Sequence, residues 1–137
     1  MKKLPKTPSK LLRIALTDLM AVEKSKKYRI DMGMWHHGAV EGGQKCEVCM
    51  AGAVMAKTLK VPDDEWRDPG DFNSSDITKK LFAINLLRVG NISEACYFLG
   101  VKNKANMQVP VISYDDSPKE FKKDMRKLIK TLEKAGM

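Results

Sequence analysis

"KCEVCMAGAVMAKTLKVP", residues 45–62, sets two cysteines three positions apart, follows them with small and medium apolar residues, and closes on a proline. Cys49, Gly52, Ala53 and Ala56 recur at three- and four-residue steps, the repeat of one helical face. Val48, Met55 and Leu59 add bulk beside that strip, Gly42 and Gly43 break the chain ahead of it, and Pro62 ends it. The stretch predicts a central helix over residues 46–59, with a side smooth enough for a second helix to pack closely.

On the N-terminal side, Tyr28, Ile30, Met32 and Met34 alternate with polar residues and glycine, as in a half-buried strand. Its best partner is "QVPVIS", residues 108–113, although Pro110 restricts that segment to an edge position or an irregular extended segment. Further upstream, Thr7 and Pro8 form an N-cap with proline in the first turn. Leu11, Leu12, Ala15, Leu16, Leu19 and Val22 then trace one apolar face, which predicts a helix over residues 8–25.

On the C-terminal side, residues 61–74 read as a polar loop turning at Pro69-Gly70 and anchored by Trp66 and Phe72. A serine or asparagine at 73–75 caps a helix over residues 76–88 that is apolar around most of its circumference and should be buried. Gly90 ends it, Asn91 with Glu94 caps a helix over 92–99, and Gly100 stops that one. Ser117-Pro118 opens the last helix, where Phe121, Met125, Leu128, Ile129 and Leu132 make a narrow stripe. The expected fold is a single mainly α domain over residues 1–137, about five helices with a small two-stranded extended element and a basic tail at 1–7.

Lys and Arg total 25 against 17 Asp and Glu, a formal charge of +8 over 137 residues. Lys2, Lys3, Lys6, Lys10 and Arg13 crowd the N-terminus and a second group fills the last twenty residues, whereas 62–76 is acidic. The surface should be polarised and suited to an anionic partner. No apolar leader follows the first lysines, and apolar runs fall short of the roughly 20 residues that cross a bilayer. With three cysteines and nine methionines, the expectation is a reducing, cytoplasmic setting and no membrane partner.

Two sets of residues could carry function. His36, His37, Cys46 and Cys49 are the types that hold zinc, and one C-x-x-C with histidines nine or ten residues upstream supplies local ligands; Cys96 or a carboxylate would complete a set. The same cysteines could be a redox or nucleophilic pair, since a thiol at a helix N-terminus is acidified. They could equally be small core residues, with the histidines bonding locally. The expectation is no cofactor, with zinc as the alternative.

The second set is Lys119, Lys123, Arg126, Lys130 and Lys134, which fall opposite the Phe121 to Leu132 stripe. Such a face suits phosphates or an acidic protein surface. Lysines dominate, and no aromatic side chains are interleaved, so nucleic acid would be bound without strong sequence preference. No phosphate-cradling glycine loop, H-E-x-x-H or G-x-S-x-G occurs. Asp63-Asp64-Glu65 and Asp115-Asp116 stand where acidic residues cap helices.

The Trp35-His36 pair and "CEVCMAGAVMA", residues 46–56, together with "LPKTPSKLL" and "SPKEFKKDMRKLIKTLEKAG" at the two ends, make the chain similar to a group of small uncharacterised proteins of bacteriophages and some bacteria. The resemblance implies an accessory protein acting in the host cytoplasm and no catalytic residue. The resulting expectation is a non-enzymatic protein that binds a host protein or nucleic acid by its basic surface; the alternatives are a zinc-stabilised module and a thiol enzyme.

Overall fold

A computed structural model describes residues 4–39 and 44–137. Lys2, Lys3 and the Gly42-Gly43 break lie outside the described residues. Among the described residues are five α-helices, α1 (Pro8–Glu23), α2 (Met50–Lys57), α3 (Ser75–Arg88), α4 (Ile92–Leu99) and α5 (Pro118–Lys134), and three short strands, β1 (Tyr28–Ile30), β2 (His36–His37) and β3 (Cys46–Val48). The mainly helical architecture with a small extended element is as expected. The extended part differs in its pairing.

The strands form one sheet in the order β1-β3-β2. β1 runs parallel to β3 with Tyr28 opposite Cys46, and β2 runs antiparallel with His36 opposite Val48. The first three residues of the expected central helix are therefore strand. The Cys46 N–H donates to the Lys27 carbonyl and the Asp31 N–H to the Val48 carbonyl, each at 2.9 Å, so this backbone is committed to β1. Cys49 is extended and becomes the N-cap of α2, its Sγ accepting from the Gly52 N–H at 3.3 Å.

Residues 108–113 do not pair with β1. Gln108 instead bridges to Asn91, and the Val109 N–H donates to the Gly90 carbonyl at 3.3 Å. Gly90 makes this docking feasible: its φ is +79°, and a Cβ there would sit 1.9 Å from the Val109 oxygen. Pro110, with no N–H, cannot extend the contact into a ladder. The two-stranded ribbon is thus replaced by a three-stranded sheet whose third member comes from the cysteine segment.

The acidic loop edges the sheet rather than standing apart. Arg67 and His36 exchange backbone hydrogen bonds of 2.9 and 3.1 Å, and the Ala39 N–H donates to the Asp63 carbonyl at 2.9 Å. Phe72 and Pro69 are buried, but Trp66 is 64% exposed and anchors nothing in the core.

One continuous apolar cluster joins all five helices, with Leu11, Leu19, Met55, Ile84, Ile92 and Phe121 at or near zero exposure. Every residue of α2 from Met50 to Ala56 is buried, in keeping with its central place. Leu4, within the expected tail, also enters the core, and the buried Lys80 amine donates to its carbonyl at 2.6 Å and to Asp76 at 2.8 Å. α5 is fastened to α1 by Glu23, which accepts from Lys122 Nζ at 2.9 Å and from the Tyr114 hydroxyl at 2.6 Å, and by the 2.8 Å Arg13–Glu133 ion pair. Among the described residues no helix is long and apolar enough to cross a membrane.

Candidate functional site

The sheet brings two of the four expected metal ligands together. His36 is 2% exposed on β2, and its Nε2 lies 3.6 Å from the Sγ of Cys46 on β3. The other ring nitrogen, Nδ1, is 2.8 Å from the Glu65 carbonyl, an acceptor only, so Nδ1 carries the proton and Nε2 accepts from the thiol. His37, next along a strand, points to the other side: its Nδ1 is 3.4 Å from Glu47 Oε1, within ion-pair reach but not aligned for a hydrogen bond, and its ring meets Trp66 edge-on.

Cys49 is occupied as a cap. Besides the Gly52 N–H, the Asn85 side-chain amide donates to its Sγ at 3.5 Å. Cys96 is buried in α4. Among the described residues no group of three or more His, Cys, Asp or Glu side chains is placed to hold a metal ion, so the set His36, His37, Cys46 and Cys49 is present as one close pair and two residues engaged elsewhere.

A reactive thiol needs exposure and a cationic or helix-terminal setting. Cys46 has neither, because it stands on a strand and not at the helix N-terminus expected from the sequence. Burial first, and then the charges of Asp63 and Glu47, push its thiol up to about 12. Cys49 and Cys96 are also raised, in each case chiefly by burial. Around the pair, the Tyr28 hydroxyl donates to Asp63, and Arg29 pairs with Glu47. These contacts tie β1, β3 and the acidic loop into one polar frame that packs and orients, and among the described residues the Cys46 side chain is fully buried.

The basic face of α5 is the other site, and the local sequence explains its form. Ser117 caps the helix through the Glu120 N–H at 3.2 Å, and Pro118 occupies the first turn. Phe121, Met125, Leu128, Ile129 and Leu132 then go into the core. At about 100° per residue, Lys119, Lys123, Arg126, Lys127, Lys130 and Lys134 share the opposite arc with no acidic residue among them. All six are exposed.

Among the described residues none of the six is in a salt bridge; the acidic side chains of α5 flank the arc, with Glu133 drawn to Arg13 and Asp124 accepting from the Ile112 N–H at 3.0 Å. Between Lys119 and Lys134 the stripe runs about 22 Å at 1.5 Å per residue. Lys127 joins the five positions anticipated from the sequence, on the same periodicity.

A third feature was not anticipated. Met34 and Trp35 form a ridge between two surface grooves, one reaching Trp66 and Arg67, the other reaching α3 at Phe82 and Val89. The only sequence signal for it is the excess of apolar residues on α3.

No protein-family model matches the chain, and the comparisons with curated proteins and with solved structures return no match.

Proposed function

We propose that the chain is a non-enzymatic accessory protein of phage type that works in the host cytoplasm and binds an anionic partner, an acidic face of a host protein or a nucleic acid backbone, along the outer face of α5. The observation that carries the reading is the unbroken arc of six exposed cations, none of them in a salt bridge among the described residues, on a helix whose other side is fixed in the core. A face of this kind gains affinity from charge and counterion release and steers encounter at long range. The raised, enclosed thiols speak against the thiol-enzyme alternative.

The test uses two probes, a short DNA duplex and a glutamate-rich peptide, and two variants of equal charge. One replaces Lys119, Lys123, Arg126 and Lys130 by glutamine; the other does the same at Lys26, Lys60, Lys79 and Lys102, which are also exposed. Each lowers the formal +8 by four, to +4. The α5 variant should lose at least tenfold in affinity while the matched variant loses little. Equal losses would mean that net charge and not this face is responsible. The DNA arm should show log K falling with log salt by about 0.9 per phosphate engaged, and the preferred probe tells which class of partner the face serves.

A second reading, the zinc-supported module at His36, His37, Cys46 and Cys49, draws on the His36–Cys46 approach alone. One zinc per chain by elemental analysis, with stability lost to chelator, supports it; zinc-free protein of equal stability contradicts it.

A further inference from the structure

α3 carries more apolar surface than its place in the core uses. Ile77, Leu81, Ala83, Ile84 and Leu87 are buried, yet Phe82 and Leu86 lie at i and i+4 on a second stripe that the C-cap residue Val89 extends, with Phe82 37% and Val89 54% exposed. A helix at a protein surface ordinarily needs one apolar stripe, so a second one calls for a cover. Part of the cover is internal: Phe98 stacks on Phe82 at 5.7 Å, and Trp35 meets Phe82 edge-on at 5.5 Å. Between α3 and the Met32–Met34–Trp35 wall there remains a groove of about 370 Å³.

The groove is lined by one charged side chain, Arg88, and among the described residues by no carboxylate. Arg88 is half-buried there, and among the described residues its one hydrogen bond is from Nε to the Asn85 side-chain oxygen at 3.4 Å. Among the described residues no carboxylate is in ion-pair contact with it. Burial lowers its pKa from the ordinary arginine value, and Cys49 and Asp115 offset this only in part. Arg88 lines the groove, and among the described residues its η nitrogens make no hydrogen bond; a guanidinium can take a carboxylate in two parallel hydrogen bonds.

We infer that this groove docks a short peptide segment of a partner protein that presents an acidic side chain beside an aromatic or aliphatic one. The charge complement comes from Arg88, and the apolar complement from Met32, Met34, Trp35, Phe82, Leu86 and Val89. Methionine walls adapt to the shape of an inserted side chain, and tryptophan and arginine are among the residues enriched where interface energy concentrates. The volume admits one large side chain and its neighbour, so the contact is an anchor and not a broad interface. This surface is separate from α5 and stands whether or not α5 binds anything.

The experiment selects from an unbiased displayed peptide library with the full chain carrying glutamine at Lys119, Lys123, Arg126 and Lys130, so that acidic peptides are not enriched by α5. The consensus peptide is then titrated against the same chain with Trp66→Phe, which leaves Trp35 as the sole tryptophan reporter. The expected result is a consensus with Asp or Glu within a few residues of Trp, Phe, Leu or Met, a shift in Trp35 emission on binding, and at least tenfold weaker binding in Arg88→Gln with partial recovery in Arg88→Lys. Val89→Asp, at an exposed position, should abolish binding without lowering the melting temperature. An empty selection, a consensus lacking an acidic residue, an unmoved Trp35, or unchanged binding in Arg88→Gln would each overturn the inference. So would self-association of the chain that Val89→Asp disperses, since the groove would then be covered by a second copy.

Discussion

Gly52 has no room for a side chain. A Cβ there would come within 1.7 Å of the Trp35 carbonyl oxygen, so the first turn of α2 can approach β2 only because the position is glycine. The sequence pattern assigned this small strip to helix–helix contact; at Gly52 the close neighbour is instead the backbone leading into the strand that holds His36. Gly52→Leu should cost about 1–3 kcal/mol or more through overpacking, read from denaturant midpoints. An unchanged midpoint would mean that β2 does not lie on α2. The cysteines make a second prediction at this scale. Because the Cys46 thiol is held near 12 against an ordinary 9.0, the unfolded chain releases that proton first as pH rises. Stability from this group is therefore complete below about pH 9 and declines between pH 9 and 12. Tyr28 and Tyr114, both raised by burial and by carboxylate acceptors, act in the same direction at higher pH. Cys46→Val should flatten the pH 9 to 12 decline, and no native thiol should react with a disulfide reagent until the chain unfolds.

The elements were legible from sequence in proportion to their length and periodicity. α5, with its five-residue apolar stripe over 17 residues, and α4, bracketed by Asn91 and Gly100, are where the pattern put them. The expected first helix runs two residues shorter than its apolar face suggested, ending at Glu23, whose carboxylate is engaged by α5 and Tyr114. The strand at Tyr28–Ile30 lies within the expected extended stretch, but its partner differs from the expectation for a physical reason. Cys46–Val48 is three residues long, too short to show a period of two, and its state depends on Lys27 and Asp31 supplying backbone partners from far along the chain. The same non-local pairing decides that His36 meets Cys46 while His37 does not, so the fate of that cluster could not be read locally. On α5 the reverse holds: helical phase alone decides which lysines face outward. Its cap is local too, and Ser117→Ala should cost about 0.5–2 kcal/mol in a chemical melt; no loss would mean that the Lys119 end of the basic stripe does not depend on this turn.

Across the whole molecule, one core supports two outward surfaces of different chemistry. The outer face of α5 offers charge with almost no apolar content, and the groove beside α3 offers apolar walls with one guanidinium that no carboxylate among the described residues pairs. The excess of apolar residues over 76–88 was visible in the sequence but pointed to burial, because a composition cannot say which of two stripes meets the core. On the proposed reading the positive stripe of α5 is the binding face. The most direct measurement is an amide and side-chain NMR titration of the whole chain with the tighter of the two anionic probes. The account predicts that the largest shifts fall on Lys119, Lys123, Arg126, Lys127, Lys130 and Lys134 and fade with added salt, while Trp35 and Phe82 stay still. Shifts centred on Lys6, Lys10 and Lys24, or on the groove, with α5 silent, would contradict it.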